Sequence, residues 1–263
     1  MYSYTLIQWI LFFFLYCVIG WCIESTIVSV KHKKLVNRGF LRLPMLPLYG
    51  SGAILILFIT LPYKDVIWKV YIAGMLGATI LEYITGLLME SFFKIKYWDY
   101  SDQKLHFRGR ICLSSSLFWG VLSVFLTEYI HEPIERFVLN LNQKVVLIIV
   151  AIVLTFMAID TIRSVREALD LSKVLNRISR VKEEIEYLRR LLDKFIESQT
   201  PTKETMEDLK RRIKKLTNEK EGEISRLAKV RSRLVKVYPS AYSKKFNNAL
   251  KELREKIKRG SSK

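Results

Sequence analysis

Cysteine is scarce. Cys17, Cys22 and Cys112 are the three in the chain and no two are spaced as C-x-x-C, which excludes a disulfide framework and a paired-thiol motif and leaves three small buried thiols as the expectation. The three histidines, His32, His106 and His131, are scattered without ligand spacing, so no zinc site is expected. No G-x-x-x-x-G-K-[ST] loop, no H-E-x-x-H pair and no G-x-S-x-G elbow occurs. A nucleotide hydrolase, zinc protease or serine hydrolase of the usual pattern is therefore excluded, and no cofactor, metal or catalytic set is assigned. Met1 to Trp9 carries no Lys or Arg, so the basic start of a cleaved signal peptide is missing and a retained first span is expected.

What is present divides in two. The 263 residues are 50% apolar yet 26% charged, with a net charge of +18, an unusual mixture for one soluble domain. Through residue 164 there are 15 Lys and Arg against 10 Asp and Glu; from 165 onward there are 28 against 15. The apolar runs of membrane length all lie in the first part, where about 20 helical residues cross a ~30 Å hydrocarbon core. Five spans are expected, over 5–28, 44–62, 66–92, 112–131 and 144–163. The loop 29–43 holds Lys31, Lys33, Lys34, Arg38 and Arg42 and no acid, and the loop 93–111 holds Lys94, Lys96, Lys104, Arg108 and Arg110 against Asp99 and Asp102. Both are expected in the cytoplasm, with the N-terminus outside and the C-terminus inside a multi-pass protein of the cell membrane.

Ionisable residues within spans are costly and so informative. Glu24 lies in the first, Glu82 and Glu90 in the third and Asp160 in the fifth. Gly74, Ala78, Glu82, Gly86 and Glu90 recur at four-residue steps, one stripe of a helix. Its small residues suit close packing within the bundle. The loop Tyr97-Trp98-Asp99-Tyr100-Ser101, then Arg108-Gly109-Arg110-Ile111-Cys112, joins two apolar segments and is chemically particular for a connector; the plain alternative is interfacial anchoring. The candidate ligand-binding polar cluster is Glu24, Arg38, Tyr49, Glu82, Glu90, Trp98, Asp99, Tyr100, Arg108, Arg110 and Asp160.

Beyond Arg163, Leu171, Val174, Ile178, Val181, Ile185, Leu188, Leu192 and Phe195 alternate in three- and four-residue steps, a coiled-coil pattern. Thr200 as N-cap with Pro201 at the first helical position restarts a second helix, carried by Met206, Leu209, Ile213 and Leu216, interrupted at Lys220 and continued by Ile224, Leu227, Val230 or Arg231, Leu234 and Val237. An antiparallel hairpin about 50 Å long is expected. After Pro239, from Ser240, Phe246, Leu250, Leu253 and Ile257 share one face of a basic amphipathic helix, suited either to an anionic leaflet or to a third helix packed on the hairpin. The expected organisation is all-α: a transmembrane bundle over 1–164, a cytoplasmic coiled-coil hairpin over 165–238 and a basic C-terminal helix over 239–263. The basic charge is interleaved with Glu and shows no base-reading module, so no specific nucleic acid is expected.

Asn37-Arg38-Gly39-Phe40-Leu41, Pro44, Pro47-Leu48-Tyr49-Gly50, Trp98-Asp99-Tyr100-Ser101, Gly109-Arg110-Ile111-Cys112 and Trp119-Gly120 occur in that order. In these blocks the chain resembles bacterial membrane proteins of the CmpB-like ABC-transporter permease family, over about residues 5–165. The resemblance implies a membrane component of a transport system; the coiled-coil tail lies outside it and is expected to dock a partner ATPase or a second copy. Where that family tends to have N-G-P this chain has Arg42-Leu43-Pro44, and where it tends to have P-F-N-x-N-G-R this chain has Lys104 to Arg110. Bases replace amides, which favours an anionic ligand or headgroup. Two other readings stand beside transport: an intramembrane enzyme on a lipid or lipid-linked substrate, with Glu82 or Asp99 as base, and a scaffold whose spans only anchor the coiled coil.

Overall fold

The computed structural model describes residues 4–33, 35–198, 202–230, 233–238 and 241–261. Lys34, the restart at Thr200-Pro201, the coiled-coil alternative Arg231, and Pro239-Ser240 lie outside them. The chain is all-α apart from one two-residue hairpin. The helices are α1 (Leu6–His32), α2 (Pro47–Thr60), α3 (Ile67–Phe93), α4 (Leu113–Phe125), α5 (His131–Leu139), α6 (Gln143–Ser198), α7 (Lys203–Val230), α8 (Arg233–Val237) and α9 (Asn247–Ser261); β1 (His106–Phe107) and β2 (Ile111–Cys112) pair between α3 and α4. Two compact units result: one from 1–91 with 97–166, the other from 92–96 with 167–263.

Four helices of the first unit are long and apolar enough to cross a membrane: Leu6–Val30, Ile67–Phe93, Leu113–Leu139 and the long helix from Gln143. Their outward faces carry Trp68, Ile72, Leu76, Ile80, Ile148, Ile152 and Phe156, all well exposed, an apolar surface too broad for water. The second expected span is shorter than the rest. α2 begins at Pro47, which takes the first helical position, and continues as a 3-10 turn over Leu61–Tyr63; together these rise about 27 Å. The fourth runs past its expected end at 131. Pro133 has no N–H to give the carbonyl four residues earlier, yet the helix carries on, with a π-helical turn over Leu126–Ile130 just before it.

Leu11, Phe12, Phe14 and Tyr16 of α1 pack with Ala53, Ile56 and Leu57 of α2, Ala78 of α3, Leu126, Val138 and Val146 to form the core of this unit. Helices α1 and α2 nearly touch backbones. A Cβ on Gly50 would stand 2.4 Å from Cys17 Sγ and 2.7 Å from the Phe13 carbonyl oxygen, so only glycine lets α2 lie this close. The thiols of Cys17 and Cys112 are buried, but Cys22 is exposed, contrary to the expectation of three buried thiols: it sits on an outward face of α1 between Trp21 and Ile23.

In the second unit, α6 and α7 run antiparallel, since Arg177 meets Glu219 and Glu223 while Glu184 meets Arg212. Ala168, Leu171, Leu175, Ile178, Ile185 and Leu188 are buried α6 positions of this unit. Leu175 takes the place expected of Val174 because α6 meets more than one neighbour and its apolar stripe widens beyond a two-helix seam. Lys220, the interruption in α7, bonds Glu252 of α9 at 2.9 Å, and Lys182 of α6 reaches the same carboxylate at 3.3 Å. Phe246, Ala249, Leu250 and Leu253 are buried here. The apolar face of α9 is thus spent on the hairpin and is not offered to an anionic leaflet. Phe93 and Ile95 are also buried, and Lys96 pairs with Tyr242 through N–H···O bonds of 2.7 and 2.9 Å in both directions.

Gly50→Ala is expected to destabilise the first unit by about 1–3 kcal/mol through overpacking, read as a lowered Tm in detergent. Burial alone would raise the Glu252 carboxyl, but bonds and charge from Lys220 and Lys182 outweigh it and hold it below its ordinary value. A folded-state value below the unfolded one contributes stability above the unfolded value and loses it as pH falls through the folded value. Acid unfolding of the tail, followed by circular dichroism, is expected to shift to higher pH in Lys220→Met.

Candidate functional site

The stripe Gly74-Ala78-Glu82-Gly86-Glu90 on α3 organises the first unit. Gly74 meets Ser123 of α4 and Gly86 meets Trp98 and Arg110. Glu82, about four turns into the helix, is 4% exposed. Its Oε1 accepts from the Tyr100 hydroxyl at 3.0 Å; its Oε2 accepts from Trp119 Nε1–H at 2.9 Å and Ser115 Oγ–H at 3.5 Å. A charged group in a hydrocarbon-length helix is thus met by donors from the loop and from α4, as desolvation requires.

Beside it, the Tyr49 hydroxyl donates to Glu24 Oε1 at 3.0 Å, and Arg38 Nε lies 3.7 Å from Glu24 Oε2. The Tyr49 and Trp119 rings meet edge to face at 5.9 Å, so the Glu24 and Glu82 groups share an aromatic wall. Burial pushes the Tyr100 hydroxyl above its ordinary range, and the charge of Glu82, its hydrogen bond to Glu82 and the charge of Glu24 push it further. A cavity of about 80 Å³ opens next to this wall, lined by Tyr49, Trp119, Tyr16, Gly52, Ala53 and Leu122 among others, room for more than one water.

The remaining expected site residues serve other contacts. Glu90 accepts from Arg110 Nε and Nη2 at 3.1 and 2.7 Å, two turns along α3 from Glu82, and Arg110 lies over the Tyr83 ring at 5.5 Å. A Cβ on Gly86 would stand 3.3 Å from Trp98, whose Nε1–H donates to the Arg110 carbonyl at 3.0 Å. Asp99 accepts from Ser101 N–H and Oγ–H at 3.2 and 2.6 Å. Arg108 is exposed over Phe107 at 5.5 Å. It and Gly109 have φ of 53° and 68°, the left-handed pair that a tight hairpin turn needs. Asp160 Oδ2 accepts from the backbone N–H groups of Arg42 and Leu43 at 2.8 and 2.9 Å, which fixes the loop that delivers Arg38. Of the residues expected to share one polar cavity, Glu24, Arg38, Glu82, Asp99 and Arg110, the structure keeps Glu24, Arg38 and Glu82 together with Tyr49 and Tyr100, gives Arg110 to Glu90 and turns Asp99 to Ser101.

Ser115 and Trp119 were not among the expected site residues. Their four-residue spacing in Ser114-Ser115-Ser116-Leu117-Phe118-Trp119 was the available signal, since it puts two donors on one face of α4. Among the described residues no group of three or more His, Cys, Asp and Glu is placed to hold a metal ion.

Trp119→Phe removes one hydrogen bond to a charged acceptor and is expected to cost about 1.5–3 kcal/mol of stability, read as the fall in Tm in detergent; an unchanged Tm would show that Oε2 needs no such donor.

No curated protein and no solved structure matches the chain. The family described as "Putative ABC-transporter type IV" matches residues 11–165, more than half of the chain and the whole of the Glu24 and Glu82 site; with its membrane-length apolar helices, the protein belongs to that family of membrane proteins.

Proposed function

We propose that the chain is the membrane-spanning permease component of a transport system, with the Glu24, Arg38, Tyr49, Glu82 and Tyr100 cluster as its ligand-contacting polar site. The observation that carries this is Glu82: a carboxylate 4% exposed within a 27-residue apolar helix, its donors drawn from two other segments. A carboxylate at that depth is expensive to keep and marks a functional position by default. The basic loops 29–43 and 93–111 support a cytoplasmic opening of the site and a cytoplasmic tail. The chain is organised as a transmembrane bundle followed by a tail of coiled-coil hairpin and basic helix, and the tail docks a partner ATPase or a second copy; Tyr187 and Ile196 on its hairpin are 61% and 54% exposed and suit an interface core.

Native mass spectrometry of the tagged full-length chain, extracted from its own membrane, tests the reading. A co-purifying nucleotide-binding subunit is the expected result; a homogeneous single chain holding a chemically altered lipid would replace transport with lipid chemistry. Glu82→Gln keeps shape but removes the charge and sets an amide N–H₂ among donors, and is expected to abolish the growth phenotype that depends on the protein while insertion stays normal. Unchanged growth with normal insertion would remove Glu82 from the site.

A further inference from the structure

His131 is a buried titratable group that the Glu82 site does not use. It stands at the start of α5 and is 2% exposed. Tyr16 of α1 lies 2.8 Å from its Nδ1. Tyr4, at the head of α1, lies 3.1 Å from its Nε2 and donates to Glu135 Oε1 at 2.5 Å. Glu135 is partly exposed, while Tyr16 lines the cavity shared with Tyr49 and Trp119.

These three contacts fix a polarity. A phenol has one proton, and Tyr4 gives its own to Glu135, so Tyr4 can only accept from Nε2–H. A neutral imidazole that donates from Nε2 accepts at Nδ1, and Tyr16 must donate there. Every donor in the row points toward Glu135. Around the imidazole, among the described residues, Phe12 of α1 stands edge-on at 5.2 Å, Val146 and Val150 of α6 and Leu57 of α2 belong to the apolar core of this unit, and the Thr60 hydroxyl of α2 is engaged with Thr127. On the helix of His131 itself, Glu132 pairs with Arg136 on the exposed side and Glu128 lies in the preceding turn.

We propose that Tyr16, His131, Tyr4 and Glu135 form a proton-transfer chain between the cavity wall and the protein surface, distinct from the Glu24 and Glu82 cluster. A hydronium ion entering the cavity gives a proton to the Tyr16 oxygen and leaves as water, which displaces the phenolic proton to Nδ1; Nε2 passes its proton to the Tyr4 oxygen, and Tyr4 passes its own to the Glu135 carboxylate. One bond to hydrogen forms and one breaks at each intermediate group, so one proton leaves the cavity and one arrives at the surface. The reversed row then carries a proton the other way. A path of this kind lets an existing proton gradient serve as an energy source, which goes beyond the transport reading and does not depend on it.

His32→Gln with His106→Gln leaves His131 as the sole histidine of the full-length chain, to be ¹⁵N-labelled in lipid nanodiscs. The expected imidazole near neutral pH is the Nε2–H tautomer. Exchange of that proton with water is expected to slow by about a hundredfold in Tyr4→Phe and in Glu135→Gln, the lower end of what a positioned proton donor contributes. An Nδ1–H tautomer, or exchange unchanged in both variants, would make His131 a structural core histidine and overturn the chain. Glu135→Gln keeps an acceptor for the Tyr4 hydroxyl, so it carries the test if Tyr4→Phe loses helical circular dichroism.

Discussion

A carboxylate that sits where water does not reach must find its hydrogen-bond donors within the protein, and Glu82 imposes that demand on everything around it. Tyr100 can meet it only if the loop after α3 folds back over the helix it has just left. Trp98 secures that return by bonding the Arg110 carbonyl against Gly86, and Glu90 secures it again by holding the Arg110 guanidinium. Trp119 and Ser115 can meet it only if α4 runs close beside α3, which Gly74 against Ser123 allows. The fold of the first unit is in this sense a cage of donors for one acid.

Charge pairing elsewhere is arranged so that this acid stays without a cation of its own. Arg110 is committed to Glu90 and Arg38 leans on Glu24, 20% exposed. Neutral donors alone meet Glu82, so its carboxyl group lies behind an aromatic wall with no ion-pair partner among the described residues.

Much of this was legible as periodicity. The four-residue stripe on α3 placed Glu82, Gly86 and Glu90 on one face, and the basic loops marked where the polar side lay. What was not legible has physical causes. The role of Asp160 is to hold two backbone N–H groups, and backbone donors leave no signature in side-chain chemistry. Arg110 had two acids within reach on the same stripe, and which one it takes depends on where the hairpin turn at Arg108 and Gly109 aims it. Trp119 reads as an interfacial aromatic until its Nε1–H is seen on Glu82. In the tail, Leu175 displaced Val174 because a heptad seam assumes one partner and α6 has several. His131, lacking any ligand spacing, carried no signal at all, since its partners Tyr4 and Tyr16 lie more than a hundred residues away.

The segment 92–96 belongs to the second unit although the chain makes it long before the rest of that unit. The Lys94 carbonyl that accepts from the Ser243 hydroxyl waits for a residue 149 positions later. At about 5–20 residues per second, the ribosome adds the partner some 7–30 s after Lys94. Through that interval Phe93 and Ile95 have no core to enter, and the loop carrying Trp98 and Tyr100 begins one residue after an untied strand. Tyr242 and Ser243, made near the end of the chain, therefore close the anchor of residues 94–96, so a chain cut short before them leaves its defect beside α3 and not at its own end.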